Sequence, residues 1–188
     1  VGETLLTPRV ARALARRIVE RRARTVLVDG PSGSGKSTFA VDLLARIRAT
    51  ASAPEAALVR MDDLYPGWSG LDRAAGEVSR DLVRPHALHG TGSWRPWNWA
   101  SGTSAGRVVV RRSLLVVEGC GAATAANRAV ADLTIWIETG DIERRRRALA
   151  RDGELFESHW DEWDEQFRRY RLREQPRDGA DVVLDTGC

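Results

Sequence analysis

Val28 to Ala40 reads VDGPSGSGKSTFA, and within it Gly30-Pro31-Ser32-Gly33-Ser34-Gly35-Lys36-Ser37 fills the pattern G-x-x-x-x-G-K-[ST] at every fixed position. TVLVD, Thr25 to Asp29, precedes it as a short apolar strand. A stretch from Ser37 to Ile47 follows, whose Phe39, Leu43, Leu44 and Ile47 recur at helical spacing. Strand, glycine-rich loop and helix in that order are the context that makes the pattern a phosphate cup. Glycines let the backbone curl until successive N–H groups face one concavity, and the helix adds its positive N-terminal end.

Gly30, Ser32, Gly33, Ser34, Gly35, Lys36, Ser37 and Thr38 are therefore the expected nucleotide-binding residues. Lys36 is the only lysine in a chain that uses arginine at every other basic position. A compact ammonium on a thin stem reaches the β- and γ-phosphates in a way that the broad, planar guanidinium does not. The hydroxyl of Ser37 is expected on Mg²⁺, and Thr38 is expected to cap the helix. Glu118, closing the apolar strand SLLVVEG of Ser113 to Gly119, is the expected second metal or water ligand; the alternative is an exposed acid at a strand end.

Outward from the loop, apolar strands alternate with helices. Thr7-Pro8 opens a helix carrying Val10, Leu14 and Ile18 as far as Arg24, and further strands are expected at Ala56 to Met61, Leu133 to Thr139 and Ala180 to Asp185. Arginine-rich helices are expected at about 141–151 and 158–175. This alternation predicts an α/β domain, three layers around a mainly parallel five-stranded sheet, in the P-loop NTPase class. Residues 1–188 are expected to form one domain, with an irregular insert at about 67–112 and a lid with its flanking helices at about 141–175. Within the insert, Arg107 to Arg112 reads as the return arm of a hairpin begun near Trp94.

The chain has 188 residues and a formal net charge of +3, concentrated in arginine runs that alternate with acids on helices. Such runs are read as solvated faces rather than as a nucleic-acid surface. No apolar run approaches the roughly 20 residues of a membrane span, and no export signal is read at the start. The two cysteines, Cys120 and Cys188, have no metal-ligand or disulfide spacing, so a reducing, cytoplasmic setting is expected.

The stretch RMDDLYPGW, Arg60 to Trp68, follows the second core strand and places Asp62 and Asp63 at the carboxyl edge of the sheet, across the cleft from the γ-phosphate. A carboxylate there can take the proton of an acceptor hydroxyl and hold it in line, and Asp62 is the expected base. Asp63 is read as a cap for the next turn; the alternative is that both are solvated loop acids. Arg144, Arg147 and Arg151 share one helix face by their i, i+3, i+7 spacing. Arg147 and Arg151 are the candidates to meet substrate or transferring phosphoryl charge. Trp160, Trp163, Phe167 and Tyr170 read as a core stripe, and His86 and His89 as surface histidines. Four of the seven tryptophans, Trp68, Trp94, Trp97 and Trp99, fall in the insert, where they either stack on an acceptor or pack the hairpin.

The phosphate loop, MDDLY after the second strand, VVEG at the third, RD at Arg151-Asp152 and the closing ADVVLD together resemble the uridine kinase and phosphoribulokinase group of P-loop kinases. The resemblance runs over most of the chain. It implies an ATP- and Mg²⁺-dependent transfer to a hydroxyl of a small-molecule acceptor, with Asp62 as base, Glu118 on the metal and Tyr65 against the acceptor. It also places Trp97 and Trp99 of PWNWASG at the acceptor, Asp81 by sugar hydroxyls and Asp185-Thr186-Gly187 near the adenine. The chain departs from the nucleoside kinases of that group: Asn98 stands between the tryptophans where they carry an acid, and no histidine follows. Uridine kinase is the nearest activity. The alternatives are a kinase for a sugar acid, a pantothenate-like alcohol or an aromatic natural product, or a regulatory ATP-binding module. A switch GTPase is excluded, since its Asn/Thr-Lys-x-Asp base-reading motif needs a second lysine.

Overall fold

The computed structural model describes residues 3–187, except for the side chains of Glu3 and Thr4; Cys188, one of the two cysteines discussed above, lies outside them. A short strand β1 (Glu3–Leu5) leads into helix α1 (Pro8–Glu20), whose N-cap Thr7 accepts a hydrogen bond at Oγ1 from the Val10 amide, with Pro8 in the first turn. Strand β2 (Thr25–Asp29), helix α2 (Lys36–Arg48) and strand β3 (Ala56–Arg60) follow. A 3₁₀ turn at Met61–Asp63 then carries the two acids.

The insert is more regular than its composition implied. Helix α3 (Leu71–Val78) runs through a π-helical turn, Ser79–Val83, into α4 (Arg84–His89). Leu71, Ala74, Ala75, Val78 and Leu82 are all buried along it. Gly70, Gly76 and Pro85 obscure the pattern, yet Gly70 is the N-cap and Pro85 lies in the first turn of α4, where its missing N–H costs little. His86, expected on the surface, is fully buried: Nε2 donates to the Arg112 carbonyl at 2.8 Å and Nδ1 meets Thr25 Oγ1 at 3.2 Å. Strand β4 (Gly92–Trp94), the short hairpin β5 (Trp97–Asn98) and β6 (Thr103–Ser104), and β7 (Val108–Val110) complete the insert, with β4 and β7 antiparallel as the hairpin reading required.

Strand β8 (Leu114–Glu118), the turn of helix α5 (Ala125–Arg128) and strand β9 (Leu133–Glu138) return the chain to the sheet. Helix α6 (Asp141–Glu157) is two helical pieces joined at Gly153, whose non-helical φ of 67° and ψ of −157° suit glycine, so the first piece stops close to the expected end at Arg151. Helix α7 (Trp160–Glu174) and strand β10 (Val182–Asp185) close the fold.

The sheet is α/β and wholly parallel, in the order β1-β10-β9-β2-β8-β3. Its five core strands are the expected ones. The sixth, β1, is three residues long at one edge, too short to leave a periodic signal. Side chains alternate across β2: Val26 and Val28 join α1 and α2 in one core, and Leu27 joins Leu71, Val78, Phe167 and Tyr170 in the other. Every residue of β2 and β8 is buried because helices cover both faces. Among the described residues, no helix is long and apolar enough to cross a membrane.

Candidate functional site

The loop between β2 and α2 turns at residues that only glycine accommodates. Gly33 has φ of 80°, and a Cβ placed on it would lie 1.9 Å from the Arg144 carbonyl oxygen, so the first turn of α6 packs directly on the loop. Gly35, at φ 90°, is the N-cap of α2 and offers no side chain. Thr38 therefore does not cap the helix as expected; it sits inside the first turn and lines the cleft. The first amide of this turn with an internal partner is that of Phe39, bonded to Gly35 O at 3.0 Å. The preceding amides stay available to an anion at the helix start.

Lys36 is 7% exposed, and its Nζ donates to the Pro31 carbonyl at 3.3 Å. Burial alone would push its ammonium down; Cys120, Asp62, Glu118 and Asp29 around it more than compensate, holding it above the ordinary lysine value. Ser37 Oγ donates to Glu118 Oε2 at 3.1 Å, and Arg60 Nε lies 3.9 Å from the other oxygen. Glu118 is 1% exposed, and burial raises its pKa against the opposing pull of Lys36. A buried carboxylate and hydroxyl side by side form a hard oxygen pair that fits one side of a Mg²⁺ shell, with phosphate and water completing it. Among the described residues, no group of three or more His, Cys, Asp and Glu side chains is placed to hold a metal ion.

A cavity of about 660 Å³ opens beside this pair. Its polar lining is Ser32, Ser37, Thr38, Asp62, Glu118, Arg60, Arg151 and Asp152. Asp62 is exposed and Arg151 is paired with Asp152 at 2.6 Å. Asp63 provides no side-chain cap to the helix that follows, whose N-cap is Gly70. Its aromatic lining is Tyr65, Trp68, Trp99, Phe156 and Trp163.

Three of the sequence candidates lie elsewhere. Asp81 is ion-paired with Arg80 at 2.9 Å and lines a separate cleft of about 250 Å³ beside Trp94 and Arg107. Trp97 pairs with Ser104 in the short hairpin and does not line the main cavity. Arg147 donates to Thr186 Oγ1 at 3.1 Å and to the Thr186 carbonyl at 3.2 Å, and Thr186 Oγ1 donates to the Ser34 carbonyl at 2.7 Å. It thus ties α6 to the last loop and the phosphate loop.

Sequence reasoning missed Val41, Arg60, Phe156 and Trp163 as contributors to the cavity, and it had left Trp68 open between stacking on an acceptor and packing the hairpin. Trp163 was read as core stripe, and it is 5% exposed there, but its Nε1 also donates to Ser32 Oγ at 2.9 Å. Phe156 lies beyond Gly153, where the lid helix was expected to have ended. Asp29 was also passed over. Its carboxylate, fully buried, accepts from the amides of Gly30, Gly121 and Ala123 and from the Tyr170 hydroxyl, at 2.6, 3.3, 2.8 and 2.6 Å.

No family model matches the chain, and no curated protein matches it in sequence. Solved structures do. A possible uridine kinase from Bacillus stearothermophilus is 18% identical with a TM-score of 0.66, over 94% of this chain and 98% of that one. A candidate fructose transport system kinase from Silicibacter sp. TM1040 is 17% identical with a TM-score of 0.54, over 95% and 98%. A candidate P-loop kinase with a circular permutation, from Saccharomyces cerevisiae, is 12% identical with a TM-score of 0.53, over 98% and 99%. At these identities the likeness is one of fold, and the chain has the fold of the uridine kinase-like P-loop kinases.

Proposed function

We propose that the protein is a kinase that uses ATP and Mg²⁺ to phosphorylate a hydroxyl of a small molecule. The observation that carries this is that Asp62, Ser37 and Glu118 line a single cavity large enough for an acceptor, beside the start of α2. A regulatory ATP-binding module has no use for a carboxylate facing the phosphate loop across a roomy cleft.

In this reading the loop amides and Lys36 hold the β- and γ-phosphates, and Ser37 and Glu118 would hold Mg²⁺, which would supply charge compensation for the phosphates. Asp62 accepts the proton of the acceptor hydroxyl and aims its oxygen at the γ-phosphorus. Arg151 exchanges its partner Asp152 for charge developing on the transferring group, as an arginine supplied in cis. Arg147 holds the last loop against the phosphate loop on the nucleotide side. The insert supplies acceptor-facing walls and α6 with α7 the lid, so that residues 1–188 act as one catalytic unit. Uridine kinase is the nearest named activity by likeness of fold.

ADP formation from Mg-ATP in the presence of an acceptor tests the reading. Asp62→Asn should lower the rate about 10²- to 10⁴-fold while leaving ATP affinity nearly unchanged, and Lys36→Ala should weaken both. An Asp62→Asn protein with undiminished acceptor-dependent turnover would contradict it.

A further inference from the structure

The aromatic residues that line the cavity say what kind of acceptor it suits. Trp68 is stacked on His159 at 4.6 Å and on Phe156 at 5.4 Å, and Trp99 leans against it at 5.0 Å with 55° between the rings. Tyr65 and Trp163 meet edge to face at 4.7 Å. The polar handles of these rings are mostly committed inside the protein. Tyr65 donates to the Cys120 carbonyl at 2.8 Å, Trp163 to Ser32 Oγ at 2.9 Å and Trp99 to the Asp62 carbonyl at 3.0 Å. Among the described residues only the Trp68 ring N–H of this wall is left without a partner.

We infer that the acceptor is an alcohol with an aromatic, weakly polar body, its ring lying against the exposed part of Trp99 and its hydroxyl at Asp62. This rests on the kinase reading above. A nucleoside base or a polyhydroxylated acid would bring several donors and acceptors against Trp68 and Trp99, whose ring faces cannot answer them, and each one stripped of water without a partner costs affinity. An aryl group instead gains offset and edge-on ring contacts there. The bond from Trp99 to the backbone of Asp62 fixes the ring and the base in one unit, so a short chain between aryl group and hydroxyl suffices. The acceptor oxygen forms a bond to the γ-phosphorus as the bond from that phosphorus to the β–γ bridging oxygen breaks. The hydroxyl proton passes to Asp62 and then to water, and the products are the phosphate monoester and ADP.

Two measurements on the full chain test this: calorimetry with Mg²⁺ and a non-hydrolysable ATP analogue, and ADP release with mass detection of product. The probes are phenylethanol, phenylpropanediol, uridine and glycerate. The aryl alcohols should bind and turn over with kcat/KM at least about tenfold above uridine and glycerate, a margin that ring contacts can supply. Trp99 is 43% exposed, so its replacement should leave the fold intact. Trp99→Ala should raise KM for the aryl alcohols about tenfold, and Trp99→Phe, which keeps a ring, should restore most of that KM. Preferred turnover of uridine or glycerate, or indifference of KM to Trp99→Ala, overturns the inference and leaves the kinase reading standing. Absence of binding heat and turnover with every probe overturns both.

Discussion

Trp163 Nε1 donates a 2.9 Å hydrogen bond to Ser32 Oγ, joining helix α7 to the phosphate loop at a point where both residues are almost wholly buried. One face of the helix thus packs a core and also fixes the shape of a loop far away in sequence. Trp163→Phe keeps the ring and removes the donor. Leaving Ser32 with only the 3.7 Å contact to Cys120 Sγ should cost about 1 kcal/mol of stability. Trp163→Ala should cost about 3–5 kcal/mol, because a cavity opens beside Tyr65. Denaturant unfolding of both variants checks the ratio; equal losses would mean that the ring alone matters.

The same helix reaches the strand end before the loop, through the Tyr170 hydroxyl on Asp29 at 2.6 Å. Burial pushes the Asp29 carboxyl above its ordinary value, and the hydrogen bonds from Tyr170, Ala123 and Gly30 oppose that shift. Asp29→Asn replaces one acceptor oxygen with an NH₂ group facing donors. Each unpaired buried donor costs about 1–3 kcal/mol, so a loss of several kcal/mol is expected. Tyr170→Phe, which removes one of four donors, should cost about 1–2 kcal/mol. Thermal melts should show both losses, with weaker stabilisation by ATP in Asp29→Asn because the loop hangs from that carboxylate.

The parts of the fold legible in the sequence were those with a strong local signal. The glycine pattern between strand and helix located the loop, and unbroken apolar runs located the five core strands, because a sheet covered on both faces needs no alternation. Asp62 and Glu118 were legible because both end strands that point at the loop. What was lost lies where local signals conflict. In α3 and α4 the glycines and Pro85 mask a buried face that Leu71, Ala74, Val78 and Leu82 spell out. Phe156 lies on the short helical piece beyond the kink at Gly153, a stretch in which no element was legible from the sequence. The double roles of Trp163 and Tyr170 depend on partners 131 and 141 residues away, and no spacing rule reads that distance.

Ser37 and Glu118 touch at 3.1 Å, which makes a prediction about metal dependence. Glu118→Gln keeps the shape and removes the charge, so the Mg²⁺ concentration for half-maximal ADP formation should rise about tenfold or more. Ser37→Ala should act in the same direction. Rates measured across a Mg²⁺ series at fixed ATP decide this; an unchanged half-point in Glu118→Gln would remove Glu118 from the metal shell.

His86 gives a prediction in pH. The Arg112 carbonyl can only accept, so Nε2 carries the proton, and Nδ1 of the neutral ring accepts from the Thr25 hydroxyl. Burial lowers the pKa of the ring below its usual value of 6.5, and nearby Arg24 adds to this against the pull of the Arg112 carbonyl. Below 6.5 the unfolded chain therefore takes up a proton that the folded chain resists, and the stability His86 contributes at neutral pH is lost as pH falls toward the folded-state value. Asp29 and Glu118 shift upward and act in the opposite direction, but equally in wild type and in a His86→Asn variant. The difference between the two proteins isolates the histidine. That difference, taken from unfolding curves at pH 7.5 and at steps down to about 5, should be largest at neutral pH and shrink below about 6.5; a gap that stays constant or widens on acidification would mean that the buried ring is already charged.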